Sequence, residues 1–381
     1  MNLTRYALCT AAILALAFSC KNQQEEEPVL QYYTTPGTYD IASVTPPPAS
    51  NEVRNVILLI GDGMGLEQVS CAWVLNKGKL NLDNFPMVGL SRTYSASHLI
   101  TDSGAGGTAL AVGQKTANNH IGSDVDNQPL YSWLDKARKL GKKTGVVTVC
   151  HLADATPADF CCHNEHRYNF DPIIADYATC GFDYIAGGGS DYFGPKRQDG
   201  RDIAAEMAAN GYTVAKTEAE LLAAPLPVLG LLAEDNLPVA QERGDLFRHM
   251  VARGIEQLST QNDGKGFAMM IEGSCIDDWL HGNRIDLAME ELLDFDRTIG
   301  DVLTWAAKDG HTLVVVTADH ATGALTLQDG NLAEGRIGVA FGNEGHNGIA
   351  VPYYAWGPGS GAFGGILENA ALGQLISSFV K

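Results

Sequence analysis

The sequence predicts an α/β fold in which a mainly parallel central sheet is flanked by helices on both faces. Continuous apolar runs, of which residues 56–60 form the first, recur along the chain and are typical of parallel strands covered on both sides. Segments with the apolar spacing of amphipathic helices lie between these runs. A chain of 381 residues with 45% hydrophobic residues can bury a large core, so we expect one large domain.

The first residues have the pattern of a secretion signal. Arg5 precedes an apolar stretch at residues 7–18, which is too short for a permanent membrane span. The end of that stretch, Ala17-Phe18-Ser19-Cys20, resembles the lipobox of bacterial lipoproteins, whose cysteine carries the lipid. We therefore predict a signal peptide at residues 1–19 and a lipid anchor at Cys20, in the periplasm or outer membrane of a bacterial cell envelope. An ordinary signal peptide, cleaved nearby, is the alternative.

The segment after the predicted anchor is polar and acidic. Residues 21–27 contain three consecutive glutamates and no apolar residue, a composition typical of a tether that has no core to bury. Prolines at positions 46–48 stiffen its far end. We predict a lipidated cysteine and disordered acidic tether at residues 20–51 and a folded domain at residues 52–381.

The first predicted strand ends in a glycine-rich turn. Residues 56–60 are followed by Asp62, which stands among Gly61, Gly63 and Gly65. Open α/β sheets bind their ligands at the carboxyl ends of the strands, where Asp62 would lie. Further strands are predicted at residues 144–149, 267–271, 312–317 and 352–356, and helices at residues 130–140, 245–258 and 286–307.

The charge of the chain limits its partners. The formal net charge of -19 disfavours nucleic acid as a specific partner. An anionic substrate is also repelled at long range. A phosphate site therefore has to be made locally positive by metal ions or by a placed arginine.

Residues 101–109 place a serine between an acid and residues with little or no side chain. Ser103 follows Asp102 and precedes a run of glycine, alanine and threonine. A serine that opens a helix lies beside free backbone N–H groups and the positive end of the helix dipole, and small neighbours let a phosphate approach the backbone. Taken alone, the pattern also fits an ordinary helix N-cap. The residues at the other strand ends favour a nucleophile.

Acids and histidines follow several predicted strands. Because the carboxyl ends of parallel strands share one edge of a sheet, we expect these side chains to lie close together. Carboxylate and imidazole are ligands that zinc accepts readily. The residues concerned are Asp154, Thr156, Glu272, Asp277, His281, Asp319, His320 and His346.

Together these motifs resemble the alkaline phosphatase family, from about Asn55 to the end of the chain. The resemblance rests on the Asp-Gly-Met-Gly turn at Asp62, the Asp102-Ser103 pair and the segment Ala318-Asp319-His320-Ala321. It implies an alkaline phosphatase-like fold. It also implies the hydrolysis of phosphate monoesters to alcohol and inorganic phosphate through a phosphoserine intermediate, assisted by two zinc ions and one magnesium ion.

The resemblance implies a role for each residue. Asp319 and His320, with Asp62, would bind the zinc beside the oxygen of Ser103. The other zinc would be bound by Asp277, His281 and His346. Magnesium would be bound by Asp62, Thr156 and Glu272, with Asp154 in contact through water. Arg167 would clamp the phosphate and Asp102 would orient that arginine.

Other functions remain open at this point. Sulfatases share related architecture but need a Cys/Ser-x-Pro-x-Arg motif, which does not follow Asp62. Phosphodiesterases and cofactor-independent mutases of the same superfamily usually lack the glutamate-containing site and the arginine clamp, so Glu272 with Arg167 favours a monoesterase. A non-catalytic lipoprotein that binds metal or glycan is the non-enzyme alternative. Small phosphate monoesters are the expected partners, and a homodimer is compatible with the sequence.

One position departs from the family pattern. Asp278 follows the predicted ligand Asp277 where relatives carry lysine, histidine or tryptophan. A carboxylate near a bound dianion would weaken phosphate binding and ease product release. In the alternative, Asp278 points to solvent and Trp279 lines the site.

Overall fold

The computed structural model describes residues 29–381. The predicted signal peptide and the anchor at Cys20 lie outside these residues, as do residues 21–28 of the predicted tether. Within the described part of the chain, no helix combines the length and the apolar character needed to cross a bilayer.

The described residues contain fifteen strands and thirteen α-helices. The strands are β1 (Gln31–Thr34), β2 (Asn55–Gly61), β3 (Met87–Arg92), β4 (Lys143–His151), β5 (Tyr184–Gly188), β6 (Thr213–Ala215), β7 (Val228–Leu231), β8 (Phe267–Gly273), β9 (Thr312–Thr317), β10 (Ala321–Thr322), β11 (Thr326–Asn331), β12 (Arg336–Ala340), β13 (His346–Asn347), β14 (Val351–Trp356) and β15 (Gly365–Glu368). The helices are α1 (Leu66–Leu75), α2 (Ser103–Val112), α3 (Trp133–Lys139), α4 (Ala155–Asp159), α5 (Phe170–Cys180), α6 (Ser190–Phe193), α7 (Ile203–Ala209), α8 (Glu218–Ala223), α9 (Ala240–Arg243), α10 (Leu246–Thr260), α11 (Cys275–His281), α12 (Ile285–Asp309) and α13 (Asn369–Phe379). Two short 3-10 helices lie at Asn81–Asn84 and Ser360–Ala362.

Ten of the strands form the central sheet, in the order β15-β3-β14-β9-β2-β8-β4-β5-β7-β6. From β9 to β6, every neighbouring pair is parallel. β14 runs antiparallel to both of its neighbours, β9 and β3. Because β14 enters the sheet where β9 ends, the chain just before it lies at the same edge as the carboxyl ends of the parallel strands.

The central strand β2 is buried on both faces, as its unbroken apolar sequence predicts. Ile57 and Leu59 pack in the layer that contains α1, α10 and α12. Leu58 and Ile60 point the other way, into the layer that contains α2, α3, α5 and α13. Each such side chain contributes about 1.5–3 kcal/mol by burial. The predicted α/β class, with helices on both faces of a mainly parallel sheet, is confirmed.

The structure corrects the predicted tether. Residues Gln31–Thr34 form β1, which pairs antiparallel with β12 in a small three-stranded sheet. The hydroxyl of Tyr33 donates to Glu290 Oε1 at 2.6 Å, and the hydroxyl of Tyr39 donates to Asp296 Oδ2 at 2.6 Å. Both acceptors lie on α12. The prediction of disorder to residue 51 is therefore wrong for this arm, because it used the acidic composition of residues 21–27 and overlooked the tyrosines beyond them.

The other predicted elements agree closely with the structure. The five predicted strands correspond to β2, β4, β8, β9 and β14, and the three predicted helices to α3, α10 and α12. The sequence did not reveal β3, β5, β6, β7 or β15. These strands are short or contain glycine, so their apolar pattern is weak.

Candidate active site

Polar side chains converge at the carboxyl edge of the sheet. Asp62 follows β2, and its N–H donates to the carbonyl of Gly273 at the end of β8, at 3.2 Å. Asp319 follows β9, and its Oδ1 accepts from the N–H of Gly63 at 3.4 Å. Three neighbouring parallel strands thus bring their termini together, as the sequence predicted.

Ser103 is the first residue of α2 and is buried. Asp102 caps the helix, with its Oδ1 accepting from the N–H of Ala105 at 3.1 Å. The Oγ of Ser103 lies 3.3 Å from Nε2 of His320. Both interpretations of the serine motif therefore hold in part: the cap is Asp102, and the serine oxygen faces a predicted metal ligand.

The small residues after Ser103 have a packing reason. A Cβ added at Gly107 would lie 2.3 Å from Oδ2 of Asp159, and one added at Gly106 would lie 3.1 Å from the Cβ of Asp319. Helix α2 therefore packs directly against the segments that carry Asp159 and Asp319. The structure shows that these small residues admit neighbouring side chains, and the approach of a phosphate to the backbone here stays a prediction.

Asp62, Asp319 and His320 form a buried cluster, called here the inner group. One ligand atom of each lies within 4.8 Å of the others. Nε2 of His320 is 3.4 Å from Oδ1 of Asp62 and 3.1 Å from Oδ2 of Asp319. These two carboxylate oxygens are buried and have no hydrogen-bond partner among the described residues.

Burial makes the negative charge of the inner group unfavourable. It raises the pKa of Asp319 to about 6. Burial, followed by repulsion from Asp319 and Asp277, also raises the pKa of Asp62 well above its usual range. Burial lowers the pKa of His320, which keeps the imidazole neutral. Two carboxylates, a neutral imidazole and orphaned oxygens together fit a divalent cation such as zinc.

Asp277, His281 and His346 form a second cluster, called here the outer group. Nε2 of His281 is 3.0 Å from Oδ2 of Asp277 and 3.1 Å from Nε2 of His346. The antiparallel pair of β10 and β13 places Thr322 opposite His346 and so brings this histidine to the edge of the sheet. Its ring stacks on that of His320, with 3.5 Å between ring centres, so the two groups adjoin.

Hydrogen bonds orient both histidines of the outer group. Nδ1 of His346 donates to the carbonyl of Thr101 at 2.8 Å, and Nδ1 of His281 donates to the carbonyl of Glu344 at 2.5 Å. Each Nε2 is thereby left to face Asp277, the arrangement that metal-binding histidines usually have. Burial opposes ionisation of Asp277, but hydrogen bonds from His281 and His346 outweigh it and hold its pKa well below the usual range.

Thr156 and Glu272 supply oxygen atoms beside the inner group. Oγ1 of Thr156 is buried without a hydrogen-bond partner among the described residues. Burial raises the pKa of Glu272 to about 8, although its Oε2 accepts from the hydroxyl of Thr148 at 2.6 Å. A hard cation would offset the unfavourable burial of the ionised Glu272 carboxylate. Oxygen ligands of this kind suit magnesium.

Arg167 lies between two carboxylates. Its Nη2 donates to Oδ1 of Asp154 at 3.0 Å, and its Nη1 donates to Oδ2 of Asp102 at 3.5 Å. Burial opposes the charge of the guanidinium, but Asp154 and then Asp102 raise the pKa of Arg167. The contact with Asp102, which also caps the Ser103 helix, is the geometry that the predicted orienting role requires.

A family model described as alkaline phosphatase matches residues 53–335. This chain belongs to the alkaline phosphatase family. The matched range contains every predicted site residue except His346, which the pairing of β13 with β10 places against the others.

Curated relatives and a solved structure agree with this membership. Alkaline phosphatase 4 of Bacillus subtilis (strain 168) is 38% identical over 295 residues, covering 72% of this chain and 63% of the relative. The chain therefore spans less than two thirds of that relative's length. Streptomycin-6-phosphate phosphatase of Streptomyces griseus is 30% identical over 399 residues, covering 84% of this chain and 88% of the relative. A mutant alkaline phosphatase of the Antarctic bacterium TAB5, solved with Mg bound in its M3 site, superposes with a TM-score of 0.81 at 35% identity and covers 89% of this chain and 99% of its own.

Several residues that support this alkaline phosphatase-like site were not predicted from the sequence. Thr148 lies beside Glu272 in the register of β4 and β8. Thr322 donates from its hydroxyl to Oδ1 of Asp277. Asp159 accepts from the hydroxyl of Thr108 on α2 at 2.8 Å. The strand register carries a signal for Thr148 alone, because the other two contacts join segments whose packing no local pattern reveals.

Asp278 is exposed, but a neighbour holds its side chain. Its Oδ2 accepts from Nδ2 of Asn236 at 3.0 Å. Oδ1 of Asn236 in turn accepts from the N–H of His151 at 2.9 Å. Trp279, the alternative lining residue, is half-buried. The charge hypothesis for Asp278 stays a prediction.

Proposed function

We propose that this protein hydrolyses phosphate monoesters to an alcohol and inorganic phosphate, with Ser103 as the nucleophile and phosphoserine as the intermediate. The observation that carries the proposal is the position of the serine oxygen. It lies 3.3 Å from Nε2 of His320, at the start of α2, beside the orphaned oxygens of the inner group. A serine nucleophile beside carboxylates that can bind divalent cations is suited to attack a phosphate.

The donor atoms fit two zinc ions and one magnesium ion. The inner group would hold zinc beside Ser103, and the outer group would hold the second zinc. Asp62, Thr156 and Glu272 would hold magnesium, with Asp154 in contact through water. When bound, such ions supply electrostatic stabilisation to the attacking and leaving oxygens of an in-line displacement.

The chain's own residues bind and orient the phosphate. Arg167 presents a planar guanidinium that can donate to two phosphate oxygens at once, and Asp102 holds the plane in place. The free N–H groups at the start of α2 favour the same anion. Oγ of Ser103 then bonds to phosphorus as the ester oxygen departs. Water hydrolyses the phosphoserine, which releases inorganic phosphate and restores the serine hydroxyl.

A hydrolysis assay with a mutant pair tests the proposal. The Ser103→Ala variant should lose monoester hydrolysis and should trap no labelled phosphate, while Ser70→Ala, an exposed serine on α1, should behave as wild type. A chelator should abolish the wild-type activity, and zinc with magnesium should restore it. Labelled phosphate trapped on the Ser103→Ala protein would contradict the assignment. A preference for a diester over a monoester would favour the phosphodiesterase alternative.

We also propose that Cys20 carries a lipid that anchors the protein in a bacterial cell envelope. The support is the lipobox-like sequence at residues 17–20 after an apolar stretch. The full-length protein should partition into the detergent phase, and the Cys20→Ala variant should move to the aqueous phase. Equal partitioning of the two proteins would reject the anchor.

A further inference from the structure

A row of aromatic rings begins beside Arg167. The central carbon of the Arg167 guanidinium lies 5.6 Å from the centre of the Tyr168 ring. The rings of Tyr168, Phe170, Tyr192 and His151 follow one another, with 6.2, 5.2 and 4.6 Å between successive ring centres. We call these four residues the aromatic row. Its first ring, that of Tyr168, lies beside the residue that would clamp the phosphate.

Three members of the aromatic row, all except His151, line a cavity of about 440 Å³. Tyr168, Phe170 and Tyr192 supply ring surface. The polar groups at its margin belong to Asn169, Lys196, Gln198 and two carboxylates, Asp171 and Asp191. Tyr168 is 65% exposed, which leaves it available to a ligand. Ring faces with a few polar groups at their margin are typical of sites that bind a planar organic group.

A buried arginine holds the walls of the cavity together. The side chain of Arg197 is 1% exposed. Its Nη2 donates to the carbonyl of Asp171 at 2.6 Å, and its Nη1 donates to the carbonyl of Tyr192 at 3.2 Å. Its Nη2 also donates to Asp199 at 2.5 Å. Because these bonds join the two walls, the cavity is preformed and little ordering opposes binding.

The far end of the aromatic row returns to the active site. Nδ1 of His151 is buried and has no hydrogen-bond partner among the described residues. The N–H of Asp154 donates to the carbonyl of His151 at 2.9 Å. Asp154 is the carboxylate that pairs with Arg167. The cavity and the phosphate clamp are therefore adjoining parts of one surface.

We propose that this cavity is a subsite for the base of a nucleoside monophosphate, so that nucleoside monophosphates are a favoured substrate class. The inference rests on the proposed phosphomonoesterase function. A base stacks on aromatic side chains whatever its identity, and amide groups can pair with its polar edge. The sugar would span the distance between the phosphate, bound at Arg167, and the base, bound in the cavity beyond Tyr168.

Two substrates and a matched pair of tyrosine variants test the subsite. For Tyr168→Leu, the kcat/KM for adenosine 5′-monophosphate should fall about tenfold, which corresponds to about 1.4 kcal/mol. Its kcat/KM for glycerol phosphate, which has no ring, should fall much less, so that the ratio of the two kcat/KM values drops. The control variant, Tyr131→Leu, alters a tyrosine of similar exposure (63%) that is not part of the aromatic row. It should change neither value.

Further measurements guard against a folding artefact. Adenosine, which lacks phosphate, should inhibit wild-type hydrolysis of glycerol phosphate competitively, and Tyr168→Leu should weaken that inhibition about tenfold. Phe170→Leu should give the same selective loss. Equal losses on both substrates, or an unchanged kcat/KM for adenosine 5′-monophosphate in both variants, would overturn the subsite and leave the proposed function intact. If wild-type protein hydrolysed neither substrate, the proposed function itself would be overturned and the subsite with it.

Discussion

The inner and outer groups contain the same kinds of ligand in different surroundings. The inner group is buried, whereas the side chain of His281 in the outer group is 43% exposed. Burial raises the pKa of Asp319 to about 6, but the hydrogen bond to Asp277 raises the pKa of His281 to about 9. The outer group can therefore balance its own charge with a protonated histidine. The inner group needs a cation, and it is the group that contacts Ser103.

The largest expected effect follows from removing a carboxylate of the inner group. Asp319→Asn should lower zinc content and reduce kcat by at least about 100-fold, because the ligand atom is buried and the amide that replaces the carboxylate carries no charge. Metal analysis and kinetics on the same sample measure both. The control Asp263→Asn alters an exposed turn residue whose positive φ of 50° asparagine tolerates. Full zinc content with normal turnover in Asp319→Asn would refute the assignment.

Removing a ligand of the outer group should have a smaller and reversible effect. His281→Ala should weaken zinc binding about 10- to 100-fold, because the half-exposed position can admit water as a substitute ligand. Added zinc should then restore most of the activity, whereas it should not rescue Asp319→Asn. A titration of activity against free zinc for both variants decides this. Equal rescue of the two variants would erase the proposed difference between the groups.

A third expectation concerns Thr148, which supports the predicted magnesium ligand Glu272. Thr148→Val keeps the shape of the side chain and removes the hydroxyl that donates at 2.6 Å. The magnesium concentration needed for half-maximal activity should rise about tenfold, while zinc content stays unchanged. An unaltered magnesium dependence would show that this hydrogen bond does not position Glu272.

Metal-free protein should lose stability as the pH rises. The folded pKa values of Asp319 and Glu272, about 6 and about 8, lie above their usual values, so the folded state binds more protons than the unfolded state over this range. The melting temperature should therefore fall by several degrees between about pH 5 and pH 8, given that 1 kcal/mol shifts it by roughly 2–4 °C in a large domain.

Zinc and magnesium should remove this pH dependence, because bound cations keep the carboxylates ionised. Asp319→Asn without metal should show a shallower fall than wild type, because one of the titrating groups is gone. Thermal melts at several pH values, with and without metal, measure both effects. A metal-free melting temperature that rises over the same pH range would contradict the charge imbalance assigned to the inner group.

The smallest expected effect is at Asp278, beside the outer group. Asp278→Lys should tighten inhibition by inorganic phosphate a few-fold, because an attractive charge replaces a repulsive one at an exposed position where solvent screens the field. Asp278→Asn separates the loss of charge from the loss of the hydrogen bond with Asn236. Inhibition constants at fixed ionic strength decide between the alternatives. Equal or weaker inhibition in the lysine variant would reject the charge argument.

The sequence predicts the structure well where a local pattern specifies a local structure. The apolar runs of β2, β8 and β9 are long enough to identify buried strands, and parallel pairing then implies that Asp62, Glu272 and Asp319 share an edge. The cap at Asp102 and the start of α2 at Ser103 were also predictable, since capping involves neighbouring residues. The site roles beyond this geometry came from family resemblance.

The sequence by itself determined the class of fold, the strand ends that carry ligands and the helix that presents Ser103, because periodicity and capping act between near neighbours. Only the tertiary structure decided that β1 pairs with β12, that Gly107 packs against Asp159 and that Arg197 ties the walls of the cavity beside Arg167. These contacts join segments from different parts of the fold, and their partners are set by how whole layers pack. The sequence pattern of one segment does not indicate which other segment it will pack against.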